Sequence, residues 1–264
     1  MDTRPSKPRS WLVSRVGRLL DSYLEDRAKR DRDEARARHE ELITWLTKFE
    51  RRQRRDVYTS MERMAADDSA TFAMAAFHDV RPFFHPHDTL RNAVEKSPPT
   101  GLALEFGVAS GRTLTVMAEA RGQRKVFGFD SFEGLPEYWR WGFDVGSFSG
   151  EVPVVPGATV IKGMFQDVLP GFLKKHPGQL AVAHIDSDLY SSAIYVLHQL
   201  RSRMVEGTII IFDEYFNYPG WREHEHRAWE EFVADTGLEF DYFGATADDE
   251  QVSVRITSPP KPEA

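Results

Sequence analysis

Two apolar runs in the second half of the chain each end in a pair of carboxylates. Leu180-Ala-Val-Ala-His-Ile185 is followed by Asp186-Ser187-Asp188, and Thr208-Ile-Ile-Ile-Phe212 by Asp213-Glu214. Apolar runs of this length read as buried strands. Residues two apart on an extended chain project to one side, so Asp186 and Asp188 are expected to share a face, while Asp213 and Glu214 point apart. At least three of the four then converge. Like charges crowded together are costly unless protons or a cation relieve them, and hard oxygen donors suit Mg²⁺ or a similar ion completed by water and substrate. The competing reading is that Asp186 and Asp213 simply cap the helices that follow them.

A second chemical feature lies earlier, in Leu102-Ala-Leu-Glu105-Phe-Gly107-Val-Ala-Ser110-Gly111-Arg-Thr-Leu114. It reads as a buried strand opening through a glycine-spaced turn into a helix. The helix start at Ser110-Gly111 offers free N–H groups to a polar ligand. The spacing E-x-G-x-x-x-G lacks the middle glycine of the dinucleotide fingerprint. The next strand, Lys125-Val-Phe-Gly-Phe-Asp130, ends in an acid near the distance at which nucleotide-binding α/β folds place a carboxylate on ribose hydroxyls.

Other elements must position these groups. Ala158 to Lys162 is a further strand, and Met164-Phe165 opens a helix, either flanking an adenine or joining the core. Leu238–Phe243 and Val252–Ile256 alternate like a closing antiparallel pair. A long loop after Asp130 carries Trp139 and Trp141, which either form a lid or anchor the loop on the core. Phe83-Phe84-His85-Pro86-His87-Asp88 reads as a loop leading to a helix capped at Asp88, not as a metal cluster. His224 and His226 are read as surface residues, because a spacing of two on a helix makes them diverge.

Before residue 98 the pattern is helical. Leu12, Val16, Leu19, Leu20, Tyr23 and Leu24 form one apolar face; Glu25 to Glu41 is almost wholly charged; Leu42, Ile43, Trp45, Leu46 and Phe49 restore an apolar face, and Val57 to Phe77 continues as helix. Residues 1–98 are therefore read as a tail and helical extension, with the first ten residues loose, and 99–264 as the catalytic domain. The chain's 264 residues and 41% hydrophobic content allow one α/β domain plus an extension. A net charge of −7 argues against a nucleic-acid partner, and the absence of cysteine excludes thiolate chemistry. Arg15 and Arg18 interrupt the first apolar stretch below signal or membrane-span length, so a cytoplasmic protein without a membrane span is expected. The helices also suggest a homo-oligomer.

Taken together, Leu104-Glu-Phe-Gly-Val-Ala-Ser-Gly-Arg-Thr, Phe129-Asp-Ser-Phe-Glu-Gly-Leu-Pro-Glu, Lys162-Gly-Met-Phe-Gln-Asp-Val-Leu-Pro, His184-Ile-Asp-Ser-Asp-Leu-Tyr-Ser-Ser and Ile210-Ile-Phe-Asp-Glu-Tyr resemble the macrocin O-methyltransferase family of class I S-adenosylmethionine-dependent methyltransferases. The resemblance covers roughly Thr100 to Trp221. It implies an α/β, Rossmann-like sheet of seven strands, mostly parallel with an antiparallel closing pair, behind the helical extension. It also implies methyl transfer from S-adenosylmethionine to a hydroxyl of a small molecule such as a natural-product sugar, assisted by Mg²⁺ or a similar cation. By motif position, Glu105, Gly107, Ser110, Gly111, Asp130 and Ser131 would contact the methyl donor, with Phe165 and Asp186 completing that site. Asp188, Asp213 and Glu214 would bind metal, and Asp188 would be the base. The sequence departs from the family at Glu214, where the pattern has a second Asp. A nicotinamide-dependent oxidoreductase, or a methyltransferase fold decayed into a binding protein, are the alternatives.

Overall fold

The computed structural model describes residues 9–122 and 125–261. The expected loose tail over residues 1–10 falls outside it as far as Pro8. The chain forms two compact units that divide between Ser60 and Met61. In the first, α1 (Arg9–Arg55) is one continuous helix through the charged middle expected to be solvated. Charge pairs one turn apart line it, such as Arg54 with Glu50 at 2.7 Å and Arg36 with Glu40 at 3.9 Å. Asp56 ends α1, and its carboxylate accepts the amides of Tyr58 and Thr59 to start α2 (Val57–Ala76).

In the second unit, β1 (Arg81–Phe83), α3 (Pro86–Lys96), β2 (Leu102–Phe106), α4 (Arg112–Arg121), β3 (Val126–Asp130), β4 (Ala158–Lys162), α5 (Phe165–Lys175), β5 (Leu180–Ile185), α6 (Tyr190–Leu200), β6 (Ile209–Phe212), α7 (Glu225–Thr236), β7 (Glu239–Thr246) and β8 (Val252–Ser258) follow in order. They build one sheet in the order β1-β7-β8-β6-β5-β2-β3-β4. The strands from β6 to β4 pair in parallel, and β8 pairs antiparallel with both β6 and β7. The sheet thus has eight strands, not the expected seven. The addition is β1, an edge strand parallel to β7. Its Arg-Pro-Phe sequence carries no strand signal, and Pro82 is tolerated because edge strands need not donate on both sides.

The two-residue period of the strands sorts the core into two layers. Leu104, Phe106, Phe129, Ile185 and Phe212 pack with α5, α6 and α7, while Ala103, Val126, Val182, Ile209 and Ile211 pack with α3 and α4. Burial on both faces explains why the parallel strands read as unbroken apolar runs. Helix α3 starts at Pro86, two residues earlier than expected. Its cap is His85, whose Nδ1 accepts the His87 amide at 3.1 Å. His226 is also corrected: it is buried, in ring contact with Phe72, Tyr215 and Trp221, because the first turn of α7 faces α2. No described helix is long and apolar enough to cross a membrane.

Candidate active site

The carboxyl ends of β2, β3, β5 and β6 open into a cavity of about 290 Å³, within the region where open α/β sheets take ligands. Gly107, Asp130, Ser131, Met164, Phe165, Asp186, Asp188, Asp213 and Glu214 line it. Gly107 is required by its surroundings as well as by its φ of 99°. A Cβ built there would lie 1.6 Å from the Asp186 carbonyl oxygen. The glycine turn therefore rests directly on the acidic loop. Phe165, held edge-on to Phe106 at 5.5 Å, packs against the core and also lines the cavity wall.

Three expected donor contacts do not line the cavity. Glu105 is fully buried on β2, opposite His184 of β5 in register, with its Oε1 3.0 Å from His184 Nδ1. Ser110 is exposed beyond the turn, and Gly111 is buried against Val155 and Pro153 as the left-handed residue that starts α4. Asp130 does line the cavity, but its carboxylate already works on the backbone. Oδ2 accepts the amides of Val108 and Ala109 at 2.9 and 2.8 Å, and Oδ1 accepts that of Phe132 at 2.7 Å. It fixes the glycine turn against the end of β3.

The acidic residues form two overlapping clusters. Asp186, Asp188 and Glu214 bring carboxylate oxygens within 4.8 Å of one another, and a His184 ring nitrogen lies as close to carboxylate oxygens of Asp186 and Asp213. Asp213 and Glu214 do not part as expected: Asp213 bonds His184 and also meets the Glu214 side chain, and both carboxylates come close to Asp186. Convergence of Asp186 and Asp188 has a different origin from the one anticipated. Strand β5 ends at Ile185, and Asp188 takes a left-handed φ of 62° while the Leu189 amide bonds back to the Ser187 carbonyl at 2.6 Å. Such backbone is uncommon outside glycine and concentrates at functional sites.

Burial pushes Asp188 up to about 7, helped by repulsion from Asp213 and opposed by the Arg140 charge. Asp186 and Glu214 are raised well above the carboxylate range, by burial first and then by neighbouring acids. Asp213 goes the other way: burial would raise it, but hydrogen bonds from His184 (3.2 Å) and Gln251 bring it below the ordinary value. Burial would also lower His184, yet the carboxylates of Asp213 and Glu105 hold it well above the usual imidazole range. Three raised carboxylates, together with a buried Glu214 Oε2 that has no hydrogen-bond partner, form a hard, oxygen-rich donor set that fits a divalent cation. Asp186, Asp188 and Glu214 would hold it.

His184, Gln251 and Glu225 were not among the residues singled out from the sequence. His184 left a trace, as the single polar residue in an otherwise apolar strand; the other two left none. Of the two tryptophans in the long loop, Trp139 is buried beneath the Arg140 guanidinium, which lies 4.0 Å above its ring and 2.9 Å from Glu250. Trp141 is exposed.

Residues 104–215 match the family of methyltransferase domains. Over 160 residues the chain is 31% identical to an 8-demethyl-8-(2,3-dimethoxy-alpha-L-rhamnosyl)-tetracenomycin-C 4'-O-methyltransferase of Streptomyces olivaceus, an alignment covering 48% of this chain. The chain spans 59% of the length of that relative. Among solved structures, CalS11, a calicheamicin methyltransferase, superposes with a TM-score of 0.52 at 24% identity, over 64% of this chain and 76% of that one, a likeness of fold. Residues 104–215 thus match a methyltransferase domain, and the sheet that carries them shares its Rossmann-like fold with CalS11.

Proposed function

We propose that this protein is an O-methyltransferase that transfers the methyl group of S-adenosylmethionine to a hydroxyl of a small molecule, of the natural-product sugar class, with a divalent cation assisting. The observation that carries the reading is that the Asp186–Asp188–Glu214 cluster and the Gly107 turn share one cavity. The methyltransferase-domain match and the sugar O-methyltransferase relative support it.

An alcohol near the pKa of water, ~15.7, costs about 12 kcal/mol to ionise at neutral pH at ~1.36 kcal/mol per unit, so alignment alone is insufficient. In this reading Asp188 takes the hydroxyl proton as the oxygen attacks. The new C–O bond forms as the C–S bond breaks, its electron pair remaining on sulfur to give S-adenosylhomocysteine. A bound divalent cation would supply positive charge beside the developing oxyanion. Ser131, Phe165 and the Gly107 turn would seat the donor. Phe148, on the loop after β3, lines the same cavity. The test is incubation of labelled S-adenosylmethionine with a panel of glycosides bearing free sugar hydroxyls, with and without Mg²⁺. Label recovered in none of them, from protein that binds S-adenosylhomocysteine, would refute the acceptor class.

We also assign self-association to α1, a second copy of the chain being the partner. Its exposed apolar residues recur at multiples of eleven: Leu20, Tyr23 and Leu24 return as Leu42, Trp45 and Leu46, and Val16 as Phe49. An eleven-residue period keeps one face aligned along a nearly straight helix. The two patches lie symmetrically about Arg32–Asp33, so antiparallel pairing of two copies sets each patch against the other. Light scattering that shows a dimer, lost in a Leu20→Glu/Trp45→Glu variant, is the expected result; a monomeric wild type refutes it.

A further inference from the structure

We propose that Glu225 is a positioning residue that clamps the two acidic loops together, holding Asp186, Asp188 and Glu214 in the arrangement a divalent cation requires. The inference rests on reading that cluster as the cation site. Glu225 opens α7 and is fully buried. Its Oε1 accepts the Ser187 amide at 3.2 Å and its Oε2 the Glu214 amide at 3.3 Å. Ser187 lies between the two aspartates that end β5, and Glu214 is itself the donor that follows β6. One side chain therefore spans both loops, one oxygen to each.

Only a carboxylate serves this geometry. Two N–H groups from different loops point at one place, and a forked acceptor satisfies both, whereas an amide offers a single oxygen and turns its NH₂ towards the other N–H. Burying an acid beside other acids is unfavourable. A clamp gives the acid a role that its stability cost does not. Repulsion among Asp186, Asp188 and Glu214 tends to spread the loops, and the Glu225 hydrogen bonds oppose that spreading through the backbone. If Glu225 served only to start α7, its loss would leave cation affinity unchanged.

The experiment uses the full chain saturated with S-adenosylhomocysteine and titrated with Mn²⁺, followed by electron paramagnetic resonance. Glu225→Gln should weaken Mn²⁺ binding about tenfold, equivalent to about 1.4 kcal/mol, with S-adenosylhomocysteine affinity unchanged. Glu223→Gln removes an exposed acid from the same approach to α7 and should change neither. Mn²⁺ binding by Glu225→Gln equal to wild type overturns the clamp alone; a wild type that binds S-adenosylhomocysteine but no Mn²⁺ overturns the clamp together with the metal assignment. Amide exchange on the wild type gives a reading independent of the variant. Mn²⁺ should slow the Ser187 and Glu214 amides together, and protection of one without the other refutes the shared clamp.

Discussion

Gly107→Ala is the sharpest test of how the site is assembled. The new Cβ would sit 1.6 Å from the Asp186 carbonyl oxygen and 2.7 Å from its carbonyl carbon, where ordinary contact begins near 3.4 Å. Both neighbours are backbone, so nothing can rotate aside. The glycine turn and the acidic loop would have to separate by well over 1 Å. Two costs then add. A left-handed L-residue costs roughly 1–2 kcal/mol, and breaking the local packing adds a similar or larger amount, giving about 3–5 kcal/mol in all. Gly146→Ala isolates the first cost, since Gly146 has a φ of 85° but nothing within 4 Å of its Cβ position. Urea denaturation should therefore show a loss of about 1–2 kcal/mol for Gly146→Ala and at least twice that for Gly107→Ala. Calorimetric titration should also show S-adenosylhomocysteine and Mn²⁺ binding weakened together in Gly107→Ala alone. Equal destabilisation by the two variants would refute the idea that the donor turn rests on the acidic loop.

Asp188→Asn should lower kcat by about 10²–10⁴, the usual range for loss of a general base, while S-adenosylhomocysteine titrations match wild type; near-wild-type turnover would exclude Asp188 as the base. Because Asp188 is raised to about 7 and Asp186 and Glu214 are also raised, a cation entering the cluster must displace protons, so Mn²⁺ affinity should fall as pH drops from 8 to 6. Calorimetry in buffers of different ionisation enthalpy reads those protons directly, and identical heats would contradict the linkage. Burial lowers His226 to about 4, below its unfolded value near 6.5. The unfolded chain therefore binds the extra proton first, and the neutral ring's stabilisation is intact above pH 6.5 and lost as pH falls towards 4. The full shift corresponds to about 3 kcal/mol at most, less after solvent screening, and His226→Phe should remove that part of the acid sensitivity in pH-dependent denaturation.

How far the sequence carried the fold and site depends on which interactions are local. Strands β2, β3, β5 and β6 were legible because burial on both faces writes an unbroken apolar run, and their polar ends marked where the sheet opens into the cavity. Strand β1 was not, since three residues including Pro82 gain strand identity only by pairing with β7, far along the chain. Strand alternation alone would part Asp213 and Glu214, yet both reach one cavity, and the convergence of Asp186 and Asp188 comes from a left-handed turn that no propensity announces. Glu105 shows the same limit from the other side. Its place beside Gly107 suggested a donor contact, but strand alternation turns it inwards, where β5 sets His184 opposite it. That pairing links Glu105 through His184 to Asp213, so the acid of the glycine motif acts on the acidic loop and not on the cavity. The Gly107 contact with Asp186 joins the glycine turn to the other acidic loop, the one after β5, through the backbone. Glycine turn and carboxylate loops are therefore fastened at two points, and a change that moves one must move the other.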